Sequence, residues 1–166
     1  MQKSLISKSL LVLMLCLLGV ASSFGQKRYT IKSYIEQHKK VAQELMEQTG
    51  VPASVILAVA MHESAYGNSR IAVHLNNHFG IKGKNNSKKI KSAYKGYASV
   101  KASYLDFVGL LKRRRATSSL FSKYAGGHYK AWVNAIASSG YSRSKSWKSR
   151  VLHTIDTYHL DQYDNI

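Results

Sequence analysis

From residue 31 onward, apolar positions recur at helical spacing. Ile31, Tyr34, Ile35, His38, Val41, Ala42, Leu45 and Met46 fall on one side of a helix over 31–48. Gly50 stops it, and Pro52 suits the first turn of the next helix, where no backbone N–H is needed. Val55 to Met61 is apolar at every position, the mark of a helix buried all round. Gly67-Asn68 reads as its end. Residues 76–91 are rich in Asn, Gly and Lys, which predicts loop with short strands. The helical period returns over 99–114, with Tyr104, Phe107, Val108 and Leu111 on the inner face. It recurs over 128–138, holding Trp132, Val133 and Ile136, and over 146–160, holding Trp147, Val151, Leu152, Ile155 and Tyr158. Gly126-Gly127 and Gly140 break the chain between these segments. With no internal repeat and no linker, the pattern predicts one mainly α domain. A small irregular or β-containing lobe is inserted between residues 76 and 98.

The first 26 residues fall outside this pattern. Lys3 and Lys8 precede an apolar run of twelve residues, Leu10 to Ala21, and small residues follow at Ser22, Ser23 and Gly25. This is the layout of a secretory signal peptide, and the run is too short to span a bilayer. Cleavage before Phe24 or Gln26 would satisfy the small-residue rule. Cys16 does not read as a lipidation site, because Leu15 precedes it where a small residue is wanted. The expectation is therefore a signal peptide over 1–26, a single domain over 27–166, and a destination in the periplasm, the envelope or the medium.

Composition sharpens this. The chain has 166 residues, 25 Lys+Arg against 8 Asp+Glu, and a formal net charge of +17. Loss of residues 1–26 removes two Lys and no acid, leaving +15, and removes the one cysteine. The mature chain must be held by its core, without a disulfide. An apolar content of 45% is too high for long disorder and sufficient for that core. Such a charge calls for an anionic partner. Export argues against nucleic acid, even with the run Lys112-Arg113-Arg114-Arg115. Cell-wall polymers, with their lactyl and peptide carboxylates, and anionic envelope surfaces remain.

One acid stands out. Glu63 follows the run Val55 to Met61 and sits one helical turn beyond Val59 and Ala60. A carboxyl held against apolar surroundings is expensive to ionise, a property that a general acid for glycoside cleavage requires. A helix-end Glu pointing to solvent is the plainer alternative. The neighbours decide between them. Glu63-Ser64-Ala65-Tyr66-Gly67-Asn68-Ser69 is followed by Asn76-Asn77-His78-Phe79-Gly80-Ile81-Lys82-Gly83, then by Tyr97-Ala98-Ser99 and Gly140-Tyr141-Ser142. The order and spacing resemble the glucosaminidase domain of glycoside hydrolase family 73, the group of flagellar and autolytic peptidoglycan hydrolases, from about Tyr34 to Tyr163.

That resemblance implies a lysozyme-like α+β fold: a helical lobe and a small β-lobe flanking a substrate groove. It implies cleavage of the β-1,4 bond between N-acetylglucosamine and N-acetylmuramic acid in peptidoglycan strands. Glu63 maps onto the family's catalytic acid. Tyr141 maps onto its cleft tyrosine, although Ser142 replaces the usual Ala. Asn77, Phe79, Tyr97 and Tyr66 are expected at the substrate. For Asn77 the alternative is pinning its loop, for Phe79 packing the lobe junction, and for the tyrosines core packing.

The chain departs from the family in one respect. Many members carry a second acid in the β-lobe, whereas here no carboxylate occurs between Glu63 and Asp106. A two-carboxylate mechanism is then hard to write. The substrate's N-acetyl group as nucleophile is the preferred reading, ahead of activation by a weaker group or a role for Asp106. The alternatives to a glucosaminidase are a lytic transglycosylase and a non-catalytic wall-binding protein. A metal enzyme is disfavoured. His62-Glu63, His74 and His78 invite it, but Tyr66 stands where H-E-x-x-H needs its second His, and no Cys or nearby acid completes a site. No cofactor, no metal and no nucleic acid are expected, and the chain is expected to act as a monomer.

Overall fold

The computed structural model describes residues 28–124 and 128–165. The signal-peptide segment and the Gly126-Gly127 break lie outside the described residues.

Helix α1 (Ile31–Thr49) is opened by a reciprocal cap, with the Thr30 hydroxyl accepting from the Ser33 N–H and the Ser33 hydroxyl from the Thr30 N–H. It closes at Gly50, which adopts a left-handed conformation (φ 78°) that costs a Cβ-free residue nothing. The face predicted to be apolar buries Tyr34, Ile35, His38, Ala42, Leu45 and Met46. Helix α2 (Ala53–Ser64) is the centre of the domain, with Ala53 to Met61 all buried. It packs against α1, a later helix over Trp147–Thr157 and a final 3-10 turn. Its start has no side-chain cap at Pro52. Asp164 supplies one from the far end of the chain, accepting from the Ser54 N–H at 2.8 Å and the Ser54 hydroxyl at 2.6 Å. A carboxylate at this end also suits the helix dipole.

A short helix, α3 (Arg70–Leu75), follows α2 and was not predicted. Ser69 caps it, accepting from the Ala72 N–H. Helix α4 (Val100–Arg113) matches the predicted amphipathic segment to within a residue at each end. Two single turns, α5 (Arg115–Ser118) and α6 (Leu120–Lys123), lead to α7 (Tyr129–Ser138) and α8 (Trp147–Thr157). The last predicted helix is shorter than its apolar pattern, because left-handed His159 (φ 49°) turns the chain into a 3-10 segment, Leu160–Asp164.

The β-lobe is corrected. Among the described residues there is no strand; residues 76–98 carry one isolated antiparallel bridge, Lys82 to Tyr94. Backbone bonds flank the bridge, from the Gly83 N–H to the Ala93 carbonyl at 3.0 Å, the Lys95 N–H to the Ile81 carbonyl at 2.8 Å and the Gly96 N–H to the Lys84 carbonyl at 3.2 Å, and side chains reinforce them. Asn77 Nδ2 donates to the carbonyls of Ile81 and Lys95, both at 2.8 Å, while its Oδ1 accepts from the Phe79 and Ile81 N–H groups. The asparagines that weaken β propensity here provide further hydrogen bonds to the backbone.

Candidate active site

The first motif is mostly a device for turning the chain at the end of α2. Ser64 donates to the Ala60 carbonyl at 2.6 Å and accepts from the Gly67 N–H at 2.7 Å. Gly67 has φ 77°, and a Cβ there would lie 2.9 Å from the Tyr34 ring, so only glycine fits. Asn68 pairs with both backbone groups of Tyr29, at 2.8 and 2.9 Å. These contacts fix the turn and leave one motif side chain, Glu63, to face a groove.

That groove encloses about 340 Å³ between Glu63, Gly80, Ile81, Lys82, Leu110, Arg114 and Tyr141, with Phe79 at its border. Glu63 is half-buried, and no salt bridge reaches it among the described residues. Trp147 Nε1 donates to its Oε1 at 2.7 Å. The indole is buried in α8, where its N–H needs a partner, so it holds one carboxyl oxygen in place. The other, Oε2, lies 3.4 Å from where a Cβ on Gly80 would stand. Gly80 has φ 63°, so both its backbone and its lack of a side chain keep this oxygen accessible.

Tyr141 stands beside this pair. Its ring lies 5.4 Å from that of Trp147 and its hydroxyl donates to the Phe79 carbonyl at 2.7 Å. Burial, and then the charge of Glu63, push the phenol well above its ordinary value, so it keeps its proton. The Arg114 guanidinium lies 5.7 Å from the centre of the same ring. Glu63 and Tyr141, far apart in sequence, therefore share one groove wall, joined through Trp147.

The other candidates are committed to packing or placed elsewhere. Asn77 is 1% exposed and its amide is committed to the loop, so it offers no surface to a ligand. Phe79 borders the groove, but it is 2% exposed and its ring stacks on Phe107 at 4.3 Å. Tyr97 lines a separate cavity of about 540 Å³ with His74, Lys84 and Lys95. Its hydroxyl donates to Asp106 at 2.8 Å. Tyr66 sits in the turn after α2 with left-handed backbone (φ 56°) and does not line the groove. Asp106 does not line it either. Although burial raises its carboxyl, hydrogen bonds from Lys95, Tyr97 and Arg113 outweigh that and hold it below the usual carboxylate range.

Sequence reasoning missed Trp147 and Arg114. Trp147 read as helix core and Arg114 as part of a basic run. No local signal marks either, since their partners lie in other elements. The histidines do not converge. His78 is buried with Nδ1 2.6 Å from the Tyr34 hydroxyl, whereas His74 lines the Tyr97 cavity, and no cluster suited to a metal occurs among the described residues.

A family model described as mannosyl-glycoprotein endo-beta-N-acetylglucosaminidase matches residues 39–160. The exo-glucosaminidase LytG of Bacillus subtilis (strain 168) is 30% identical over 152 residues, covering 80% of this chain and 53% of that protein. The chain thus spans about half the length of the curated relative it matches. Among solved structures, the catalytic domain of the autolysin Auto from Listeria monocytogenes superposes with a TM-score of 0.66 at 23% identity, over 86% of this chain and 92% of that one. The glycoside hydrolase domain of FlgJ from Salmonella typhimurium gives 0.64 at 22%, over 79% and 89%. These two likenesses concern the fold. With the family match running from within α1 to the start of the 3-10 turn, the chain belongs to the glucosaminidase family of glycoside hydrolases.

Proposed function

We propose that this chain is an exported peptidoglycan hydrolase of lysozyme-like fold that cleaves the β-1,4 bond between N-acetylglucosamine and N-acetylmuramic acid. Glu63 is the general acid. The observation that carries this reading is the isolation of Glu63. Among the described residues it is the one carboxylate lining the groove, held at Oε1 by Trp147, with Oε2 beside Gly80. The fold shared with the autolysin domain and with a peptidoglycan hydrolase from Sphingomonas sp. A1 supports the choice of substrate.

Glu63 Oε2 gives its proton to the glycosidic oxygen as the bond breaks. With no second acid in the groove among the described residues, the substrate's own acetamido oxygen closes on the anomeric carbon, and water later opens that ring. Tyr141 fits a supporting role. Its hydrogen is committed to the Phe79 carbonyl, so the phenolic oxygen is left to act as an acceptor. An acetamido N–H donating to that oxygen would orient the nucleophile and relieve its developing charge. The basic surface draws the enzyme to the anionic wall, and this attraction weakens as salt rises.

The single groove carboxylate also favours a second reading, a lytic transglycosylase, in which the muramyl 6-hydroxyl closes the ring instead of water. Product analysis separates the two. Purified peptidoglycan is digested, new ends are reduced with borohydride, and products are identified by mass spectrometry, with Glu63→Gln alongside. Reduced N-acetylglucosamine ends that vanish in the variant are the expected result. Anhydro-muramic ends would replace hydrolysis by transglycosylation. No new ends from the unmodified protein would make it a wall-binding protein.

A further inference from the structure

The groove holds a cation that no carboxylate pairs with among the described residues. Arg114 lies between α4 and α5, with its own backbone bent to φ −85°, ψ 126°. Its N–H donates to the carbonyls of Leu110 and Leu111, and its carbonyl accepts from the Thr117 and Ser118 N–H groups. The main chain is thus anchored on both sides. The side chain is anchored too, since Nη1 donates to the Ser139 carbonyl at 3.2 Å and the Ser139 hydroxyl at 3.0 Å. That hydroxyl gives its own hydrogen to the Ile136 carbonyl at 2.7 Å, so it is oriented as an acceptor. The guanidinium is half-buried in the groove wall near Tyr141.

Neutral acceptors and an aromatic face position the group without neutralising it. No carboxylate lies within salt-bridge distance of Arg114 among the described residues, and Nη2 and Nε make no hydrogen bond there. Arg113, the preceding residue, instead pairs with Asp106 at 3.3 Å and lies outside the groove. Lys82 adds a second cation to the same groove, where Glu63 is the one acid among the described residues. A guanidinium with one edge fixed and its remaining donors unused is a preorganised receptor for a carboxylate, at less entropic cost than a mobile lysine would incur.

We infer that Arg114 forms an anion subsite beside Glu63 that selects glycans carrying a carboxylate next to the cleaved bond over neutral chains of N-acetylglucosamine. This rests on the proposed wall-glycan substrate. Two sources of carboxylate occur there: the lactyl group of N-acetylmuramic acid, free once its peptide is removed, and the acids of the peptide stem itself.

The test is binding, measured by calorimetry on the Glu63→Gln protein so that ligands survive. Three tetrasaccharides are compared: muramyl chains with free lactyl groups, the same chains bearing stem peptides, and the neutral N-acetylglucosamine tetramer. At least one carboxylate-bearing ligand should bind about 10- to 100-fold more tightly than the neutral one, the range for a charge-assisted hydrogen-bonded pair. The tighter of the two identifies the source. Adding Arg114→Gln should abolish the difference while leaving the neutral tetramer's affinity within about threefold. Arg114→Lys, which keeps the charge but not the fork, should retain only part of it and serves where the glutamine variant loses its fold. Equal affinity for charged and neutral ligands overturns the inference, as does a preference that survives both substitutions. Failure of the glucosaminidase reading would show separately, as missing reducing ends in the digestion by the unmodified protein.

Discussion

Glu63 and Asp106 are both partly buried carboxylates, each near a tyrosine and an arginine, and they are opposites in what they can do. Asp106 receives Lys95 at 2.7 Å, Tyr97 at 2.8 Å and Arg113 at 3.3 Å. With two cations and a phenol committed to it, its charge is spent on joining the 76–98 segment to α4. Glu63 receives one neutral donor, Trp147, and keeps an oxygen toward the groove. On the proposed reading of Glu63, the contrast is between a carboxylate committed to structure and one left free to react. Burial alone does not distinguish them; the count and charge of the donors does.

The comparison can be broken most directly at Glu63. Glu63→Gln should lower turnover of peptidoglycan at least about a thousandfold, with its thermal midpoint close to that of the unmodified protein, because the amide is isosteric. Retained turnover in a zymogram or turbidity assay would remove Glu63 from the chemistry.

Next in size is the donor that holds it. Trp147→Phe keeps most of the ring that packs against Tyr141 and deletes the N–H. Loss of a hydrogen bond to the carboxylate that forms as the proton leaves, about 1.5–3 kcal/mol, should reduce kcat by about 10- to 100-fold with little change in KM. An equal fall in stability and activity would instead make Trp147 a packing residue.

Acid sharpens the comparison from a third place, the buried ring cluster behind the first motif. Burial lowers His38 to about 4 and His78 to about 3 from an ordinary 6.5, the charge of His38 adding to the effect on His78. Both folded values lie below the unfolded one. Under pH 6.5, therefore, the unfolded chain binds protons that the folded chain refuses, and stability falls as pH drops. At pH 5 each imidazole should cost roughly 2 kcal/mol. Asp106, held below the usual carboxylate range, starts to lose its contribution only under its unfolded value of about 3.8. Urea unfolding at pH 7, 6 and 5 should show the decline, and His78→Gln should flatten it while Asp106→Asn should not.

The smallest effect is expected from Asp106→Asn itself. Lys95 and Arg113 are well exposed, at 41% and 65%, so solvent already screens these pairs. Stability at neutral pH should fall by about 1 kcal/mol or less, and cleavage should stay within about twofold. A large loss of activity in kinetic assays would return Asp106 to the list of catalytic groups and end the contrast with Glu63.

Much of this was determined by the sequence alone. The period of Tyr34, Ile35, His38, Ala42, Leu45 and Met46 dictates the buried face of α1, and the unbroken run Val55 to Met61 dictates the central helix. These are local regularities, and helix geometry translates them directly into faces. The paired motifs likewise marked Glu63 and the family. What each motif residue does was decided only by tertiary structure. Asn77 could hold a sugar or pin a loop by its chemistry, and packing against residues 81 and 95 committed it to the loop. The expected strands gave way to a single bridge with three flanking backbone bonds, and the Asn77 amide ties the ends of that short pairing together. Trp147 reaches Glu63 across 84 residues, and Arg114 reaches Ser139 across 25. No period records such pairs, since they exist only once α7 and α8 have packed on α2, and α4 on α1, closing one wall of the groove.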